Sequence, residues 1–182
     1  MNERPVHVVN IAEITRELPL FEVAPGVTIA IFNCLGDTEV IQVASAELAK
    51  KLAATPADVI VTAEAKSIPL AYQLSIETKL PYVVLRKAYK SYMGDAVKAE
   101  TFSITSQKTQ TLYLDQKDRL LIQGKRIILV DDVISTGSTL KAMKAVVDKA
   151  GGQIVANAAV FTEGDQDWSE VVALGNLPVF IA

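Results

Sequence analysis

At 182 residues, half of them apolar, the chain suits one domain, 1–182, with ample material for a core. Its formal net charge of −3 excludes nucleic-acid or membrane-surface binding by bulk electrostatics. The single cysteine, Cys34, excludes an internal disulfide and a cysteine-rich metal site. Met1–Pro5 leads into no apolar signal segment and no apolar run approaches ~18 residues, so a soluble, cytoplasmic protein without a membrane span is expected.

The first 26 residues contain an amphipathic stretch, Ile11 to Leu18, ended by Pro19 and Pro25, which predicts a short helix and a connector. Val27–Phe32 and Glu39–Val43 flank Asn33-Cys34-Leu35-Gly36-Asp37 and predict a hairpin, with a short helix over Ser45–Ala54. Together, residues 1–54 read as a hood outside the main sheet. Cys34 in that turn reads as a passive small residue, and His7, the sole histidine, as structural or surface. Asp58–Thr62 is a buried strand, Ala63–Ser67 its loop and Ile68–Thr78 a helix, with Pro69 in the first turn where a missing N–H costs little. Pro81–Leu85 is the next strand, and Arg86, Lys87 and Lys90 follow at its carboxyl end. They read either as an anion-binding patch or as a solvated basic edge. Residues 93–118 carry little helix signal. Phe102–Thr105 and Thr111–Leu114 alternate like a hairpin with Ser106–Gln110 as its tip, the kind of long excursion that often forms a lid.

Ile127–Val130 is an apolar run that enters Asp131-Asp132-Val133-Ile134-Ser135-Thr136-Gly137-Ser138-Thr139, and an amphipathic segment follows to Ala150. This predicts a buried parallel strand, a tight loop at its carboxyl end and a helix whose first turn faces the loop. Ligands of open α/β sheets sit at that end of the strands. A helix N-terminus with free N–H groups suits a phosphate, Gly137 allows close approach, and Ser135, Thr136, Ser138 and Thr139 add hydroxyl donors. Asp131 and Asp132 cannot bind phosphate but can accept from sugar hydroxyls or hold hydrated Mg²⁺. Donors at one end and two carboxylates at the other fit a phosphorylated ribose. Neither G-x-x-x-x-G-K-[ST] nor a helix-opening G-x-G-x-x-G is present. Beyond Gly151-Gly152 come a buried strand, Ile154–Phe161, a polar loop, Thr162–Asp167, a short helix opened by Trp168 over Ser169–Leu174, and a last strand, Leu177–Ile181. The alternation predicts an α/β fold. It is a doubly wound, mainly parallel sheet of about five strands, with a small N-terminal hood (1–54), a core (55–182) and a flexible hairpin lid within 88–118.

The stretch Ile127–Thr139 resembles the phosphoribosyl-pyrophosphate (PRPP) signature of the type I phosphoribosyltransferases at every position, and the wider chain is most similar to their adenine and xanthine branch. The resemblance implies a purine phosphoribosyltransferase of purine salvage, with adenine the favoured base and xanthine or guanine second. It implies that Ser135 to Thr139 hold the 5′-phosphate and that Asp131 and Asp132 hold the ribose hydroxyls, directly or through Mg²⁺-bound water. It assigns pyrophosphate to Glu64, Ala65, Lys66 and Ser67 with Arg86, Lys87 and Lys90. Phe161, Thr162 and Glu163 are the candidates on the base side, and Tyr89 and Tyr92 either stack on a base or cover the core edge. Mg²⁺ is implied on the substrate diphosphate, and a homodimer as the assembly, with no nucleic-acid or membrane partner. In adenine enzymes the lid supplies a glutamate near the base; the tip Ser106–Gln110 has none, and Glu100 is the nearest. The alternative is a non-catalytic regulator of the same fold that senses PRPP or a nucleotide. A phosphoribosyl-diphosphate synthetase-like protein would need a second domain.

Overall fold

In the computed structural model, which describes residues 4–103 and 108–182, the chain opens with β1 (Val6–Ile11), β2 (Ile14–Ala24) and β3 (Val27–Ala30), followed by α1 (Thr38–Leu52). Then come β4 (Val59–Ala63), α2 (Ile68–Thr78), β5 (Tyr82–Leu85), the hairpin β6 (Val97–Ser103) and β7 (Lys108–Leu114), and the short α3 (Arg119–Ile122). The chain continues through β8 (Arg126–Ile134), α4 (Ser138–Lys149), β9 (Gln153–Glu163), β10 (Val171–Leu177) and β11 (Val179–Ile181). The main sheet has five strands in the order β10-β9-β8-β4-β5, all parallel. A second sheet, β1-β2-β3-β11, is antiparallel.

Strand alternation sends the central side chains to two cores. Ile60, Ile128 and Val130 pack with Leu48, Leu70 and Leu74 from α1 and α2, while Val61, Ile127 and Leu129 pack with Met143 and Val146 from α4. Helices on both faces are what make the β4 and β8 runs apolar throughout. Leu129 is fully buried on the middle strand. Leu129→Ala is expected to cost about 2–5 kcal/mol, read as a lower denaturant midpoint at unchanged slope.

Several elements differ from the sequence expectation. The amphipathic Ile11–Leu18 is no helix but the β1–β2 hairpin, turned at Ala12, whose φ is 52°, so that Ile11 pairs with Ile14. Ile11, Ile14 and Leu18 satisfy helical spacing only because a two-residue turn interrupts a period of two, and β-branched Val6, Val8, Val9, Ile11 and Ile14 favour strand. Glu39–Val43 is not a strand but the start of α1, whose N-cap Asp37 accepts from Val40 N at 3.1 Å. Arg16 of β2 grips that terminus, donating to Asp37 at 2.7 Å and Glu39 at 2.6 Å. Residues 1–54 therefore divide: their strands build the small sheet, and α1 packs into the main core through Val40, Ala44 and Leu48.

The expected helix Ser169–Leu174 is replaced by β10, in parallel register with β9 from Val171 opposite Asn157 to Leu177 opposite Glu163. Gly175 lets the Phe161 ring pack closely there, since a Cβ would lie 3.1 Å from it. The last strand is Val179–Ile181 and joins β3 of the small sheet. The 93–118 excursion contains a hairpin longer than expected, in which Lys108–Gln110 of the expected tip belong to β7, and its paired body is anchored: Ala99, Leu112 and Leu114 are buried with Met143 and Val146 of α4. Ser106 and Gln107 of its expected tip lie outside the described residues. Among the described residues no helix is long and apolar enough to cross a membrane.

Candidate active site

Because β5, β4 and β8 are neighbours and parallel, the loops after them open side by side at one edge of the sheet. β8 runs past the apolar core to Ile134, so Asp131 and Asp132 belong to the strand itself, Asp131 opposite Ala159 of β9. Both acids are at least 92 % buried, with exposures of 8 % and 7 %. Asp132 N–H donates to Asp131 Oδ1 at 2.9 Å. Burial first, then the charge of Asp132, pushes the Asp131 carboxyl up to about 7.

The turn Ser135–Thr136 leads into Gly137, whose φ of 71° is the left-handed conformation that caps α4. Ser138 to Leu140 form the first turn, and their end of the helix carries the positive pole of its dipole. A hollow of about 30 Å³ sits inside this loop, bounded by Asp131, Thr136, Gly137 and Thr139. The expected phosphate loop and Asp131 thus line one recess.

The β4 loop reaches the same acids. Lys66 Nζ stands 3.2 Å from Asp132 Oδ2, in a geometry that makes an ion pair but leaves that buried oxygen without a hydrogen bond. Lys66 is half exposed, so its ammonium can turn to another anion. Ser67 is buried as the N-cap of α2 and donates to Ala63 O at 3.0 Å, while Thr62 Oγ1 bonds Val130 O at 2.8 Å and ties β4 to β8. The Glu64–Ala65 peptide bond is cis.

The β5 cations divide. Arg86 is ion-paired with Glu64, which also accepts from Lys87 N at 2.6 Å. Glu64 therefore holds the end of β5 and offsets one of the expected cations. Lys87 and Lys90 are exposed and remain the solvent-facing ammonium groups of the patch. Tyr89 Oη donates to Gly94 O at 3.0 Å and Tyr92 Oη accepts from Arg86 at 3.5 Å, so both tyrosines sit in local structure. A larger hollow, about 560 Å³, opens beyond Glu64 and Arg86 at the edge strand β5, walled by Tyr82, Val84, Asp115 and Lys117. None of its walls comes from the β8 loop.

Residues 35–173 match the model of the phosphoribosyl transferase domain. The chain belongs to this family. It is similar to a hypoxanthine/guanine phosphoribosyltransferase of Methanococcus voltae, 40 % identical over 111 residues that cover 61 % of this chain and 56 % of that protein. It is similar also to one of Methanobacterium lacus, 37 % identical over 131 residues covering 72 % and 65 %. The chain thus spans between half and two thirds of the length of these relatives. Its fold is that of a crystal structure of adenine phosphoribosyltransferase from Thermoanaerobacter pseudethanolicus, with a TM-score of 0.69 at 19 % identity over 94 % of this chain and 95 % of that one.

Within this phosphoribosyltransferase domain the base-side expectation narrows. Phe161 is in the core, edge-to-face with Phe32 at 5.0 Å, and Thr162 is buried and bonded to Asn176 Oδ1 at 2.9 Å. Both side chains are buried where β9 runs between β8 and β10. Glu163 is partly buried, and burial raises its carboxyl above the ordinary range.

Four contributors escaped the sequence reading. Cys34 is buried and unreactive, its pKa raised to about 11 by burial, and its thiol donates to Lys66 O at 3.3 Å. The Phe32 carbonyl accepts from Lys66 Nζ at 3.4 Å. Gln110 of β7 reaches Thr139 at 3.4 Å, linking the hairpin to the phosphate loop. Trp168 packs on Gly137, where a Cβ would lie 2.9 Å from its ring. All four are contacts between segments distant in sequence, and no local pattern announces them.

Proposed function

We propose that the protein transfers the phosphoribosyl group of PRPP to a purine base, giving a nucleoside 5′-monophosphate and pyrophosphate. The observation that carries this reading is the meeting of the β8 and β4 loops at the acids: Asp131 lines a recess with the Gly137 loop, and the neighbouring Asp132 stands 3.2 Å from Lys66 Nζ. A ring nitrogen of the base bonds to C1 of the ribose and gives up its proton to the departing diphosphate or to water, while the C1–oxygen bond breaks and pyrophosphate leaves with the electron pair. The first turn of α4 and the hydroxyls of Ser135 to Thr139 hold the 5′-phosphate. Asp131 and Asp132 hold the ribose hydroxyls, and their negative charge favours a sugar that becomes cationic as the bond breaks. Lys66, Lys87 and Lys90 neutralise the departing diphosphate, with Arg86 set in place by Glu64.

The acid pair fits Mg²⁺ held through water and substrate. Asp132 Oδ2 is buried without a hydrogen bond, and among the described residues no cluster of three or more acidic, histidine or cysteine ligands forms a protein cage. When bound, Mg²⁺ supplies charge neutralisation on the diphosphate.

The base is the finer part of the proposal. The relatives at 40 % and 37 % identity are named for hypoxanthine and guanine, whereas the structural neighbour named for adenine shares 19 % and speaks for fold. We therefore place hypoxanthine and guanine ahead of adenine, reversing the order drawn from the sequence. Calorimetric titration with PRPP in the presence of Mg²⁺ tests the site itself. Saturable binding that excess ribose 5-phosphate competes away is expected; no binding of either would remove the reading.

A further inference from the structure

We propose that Trp168 is a positioning residue for the 5′-phosphate, holding the phosphate loop in its anion-binding shape from the side of the β9–β10 loop. The inference rests on the phosphoribosyl reading above and adds a residue that the motif does not contain.

Trp168 is the single tryptophan of the chain. Its indole edge occupies the space where Gly137 would carry a side chain, with Cη2 2.9 Å and Cζ3 3.5 Å from an ideal Cβ. The ring therefore abuts the one loop residue whose left-handed φ, 71°, sets the direction of the first turn of α4. A wall at this point limits how far Gly137 can move toward the β9–β10 loop, and pre-set N–H donors bind an anion at lower ordering cost.

The wall is itself braced. Trp168 Nε1 donates to Glu163 O at 3.4 Å, and Trp168 O accepts from Val171 N at 2.8 Å at the start of β10. The next residue after Glu163 is pinned twice more: Gly164 N donates to Leu177 O at 2.9 Å, and Gly164 O accepts from Asn176 Nδ2 at 3.2 Å. The β9–β10 loop is thus fastened to β10 and delivers one rigid ring to the phosphate loop. The same ring bridges Gly137 and the Glu163 backbone carbonyl. Trp168 is partly buried at the rim of the α4 core, so its ring is open to a ligand-linked change in surroundings.

Ribose 5-phosphate and PRPP titrations, followed by calorimetry and by tryptophan emission on the same wild-type sample, test this. Emission is expected to change along the calorimetric saturation curve. In W168A the Kd for ribose 5-phosphate and the KM for PRPP are expected to rise about tenfold, with kcat at saturating PRPP within about twofold. W168F, which keeps a ring but lacks the N–H and the outer atoms Cη2 and Cζ3 that meet Gly137, should recover only part of that loss. Wild-type emission unmoved during calorimetric saturation would overturn the proposal, as would W168A binding ribose 5-phosphate like wild type. If W168A does not fold, the emission titration and W168F decide in its place. If the wild type binds neither compound, the phosphoribosyl reading fails, a result distinct from a tryptophan that plays no part.

Discussion

Asp132→Asn is expected to lower kcat/KM by about a hundredfold or more, and Asp131→Asn to do the same while making the ligand-free protein more stable at pH 8. The two effects have one origin. The acids are adjacent and buried, and Asp131 is raised from 3.8 to about 7. A carboxyl raised in the folded state binds its proton more tightly there than in the unfolded chain. Its contribution is complete below the unfolded value near pH 4 and is lost as pH rises through about 7. Above pH 7 the folded protein must hold two neighbouring buried carboxylates, and asparagine removes one of them. The gain should be on the order of a few kcal/mol at pH 8 and nearly absent at pH 4. Thermal midpoints of wild type and Asp131→Asn at pH 5 and pH 8 check this; a variant less stable than wild type at pH 8 would contradict it. The lost turnover would mark the acid pair as retained for chemistry at a cost in stability.

Gly137→Val is expected to abolish phosphate-loop function. Two independent obstacles meet at this residue. A β-branched side chain at a φ of 71° costs about 1–2 kcal/mol in backbone strain alone. Its Cβ would also lie 2.9 Å from the Trp168 ring, so either the loop or the ring must move. Movement of the loop re-aims the N–H groups of Ser138 to Leu140. PRPP affinity should fall by about a hundredfold, while the main sheet, which the loop only caps, keeps its circular-dichroism signature. Gly137→Ala meets the same two obstacles with a smaller group and should fall between. Wild-type PRPP affinity in Gly137→Val would remove the 5′-phosphate assignment.

The parts of the fold and site that were legible in the sequence are those written in consecutive residues. Ile127 to Val130 could only be a buried parallel strand, and the acids, hydroxyls and Gly137 followed it without a gap, so strand, recess and helix were readable together. The β4 loop with Lys66 was legible for the same reason, although its partner Asp132 sits on another strand. The hood was not. Ile11, Ile14 and Leu18 fit a helix and a turned strand equally, and the deciding factor, pairing of β2 with β3 and of β3 with the distant β11, is tertiary. Val171 and Val172 carried a strand signal that the short polar opening at Trp168 and Ser169 obscured. Phe161 was read toward the ligand side because an aromatic at a strand's end looks the same whether it faces a ligand or packs, as it does here, on Phe32. Cys34, Gln110 and Trp168 were invisible as site residues because their roles exist only across the folded surface.

The most direct measurement is nucleotide formation from PRPP and Mg²⁺ with hypoxanthine, guanine, adenine, xanthine and uracil in parallel. Turnover of a purine, hypoxanthine or guanine foremost, with none of uracil, is the expected result. Saturable PRPP binding with no nucleotide formed from any base would contradict the transferase account and leave a PRPP-sensing protein in its place.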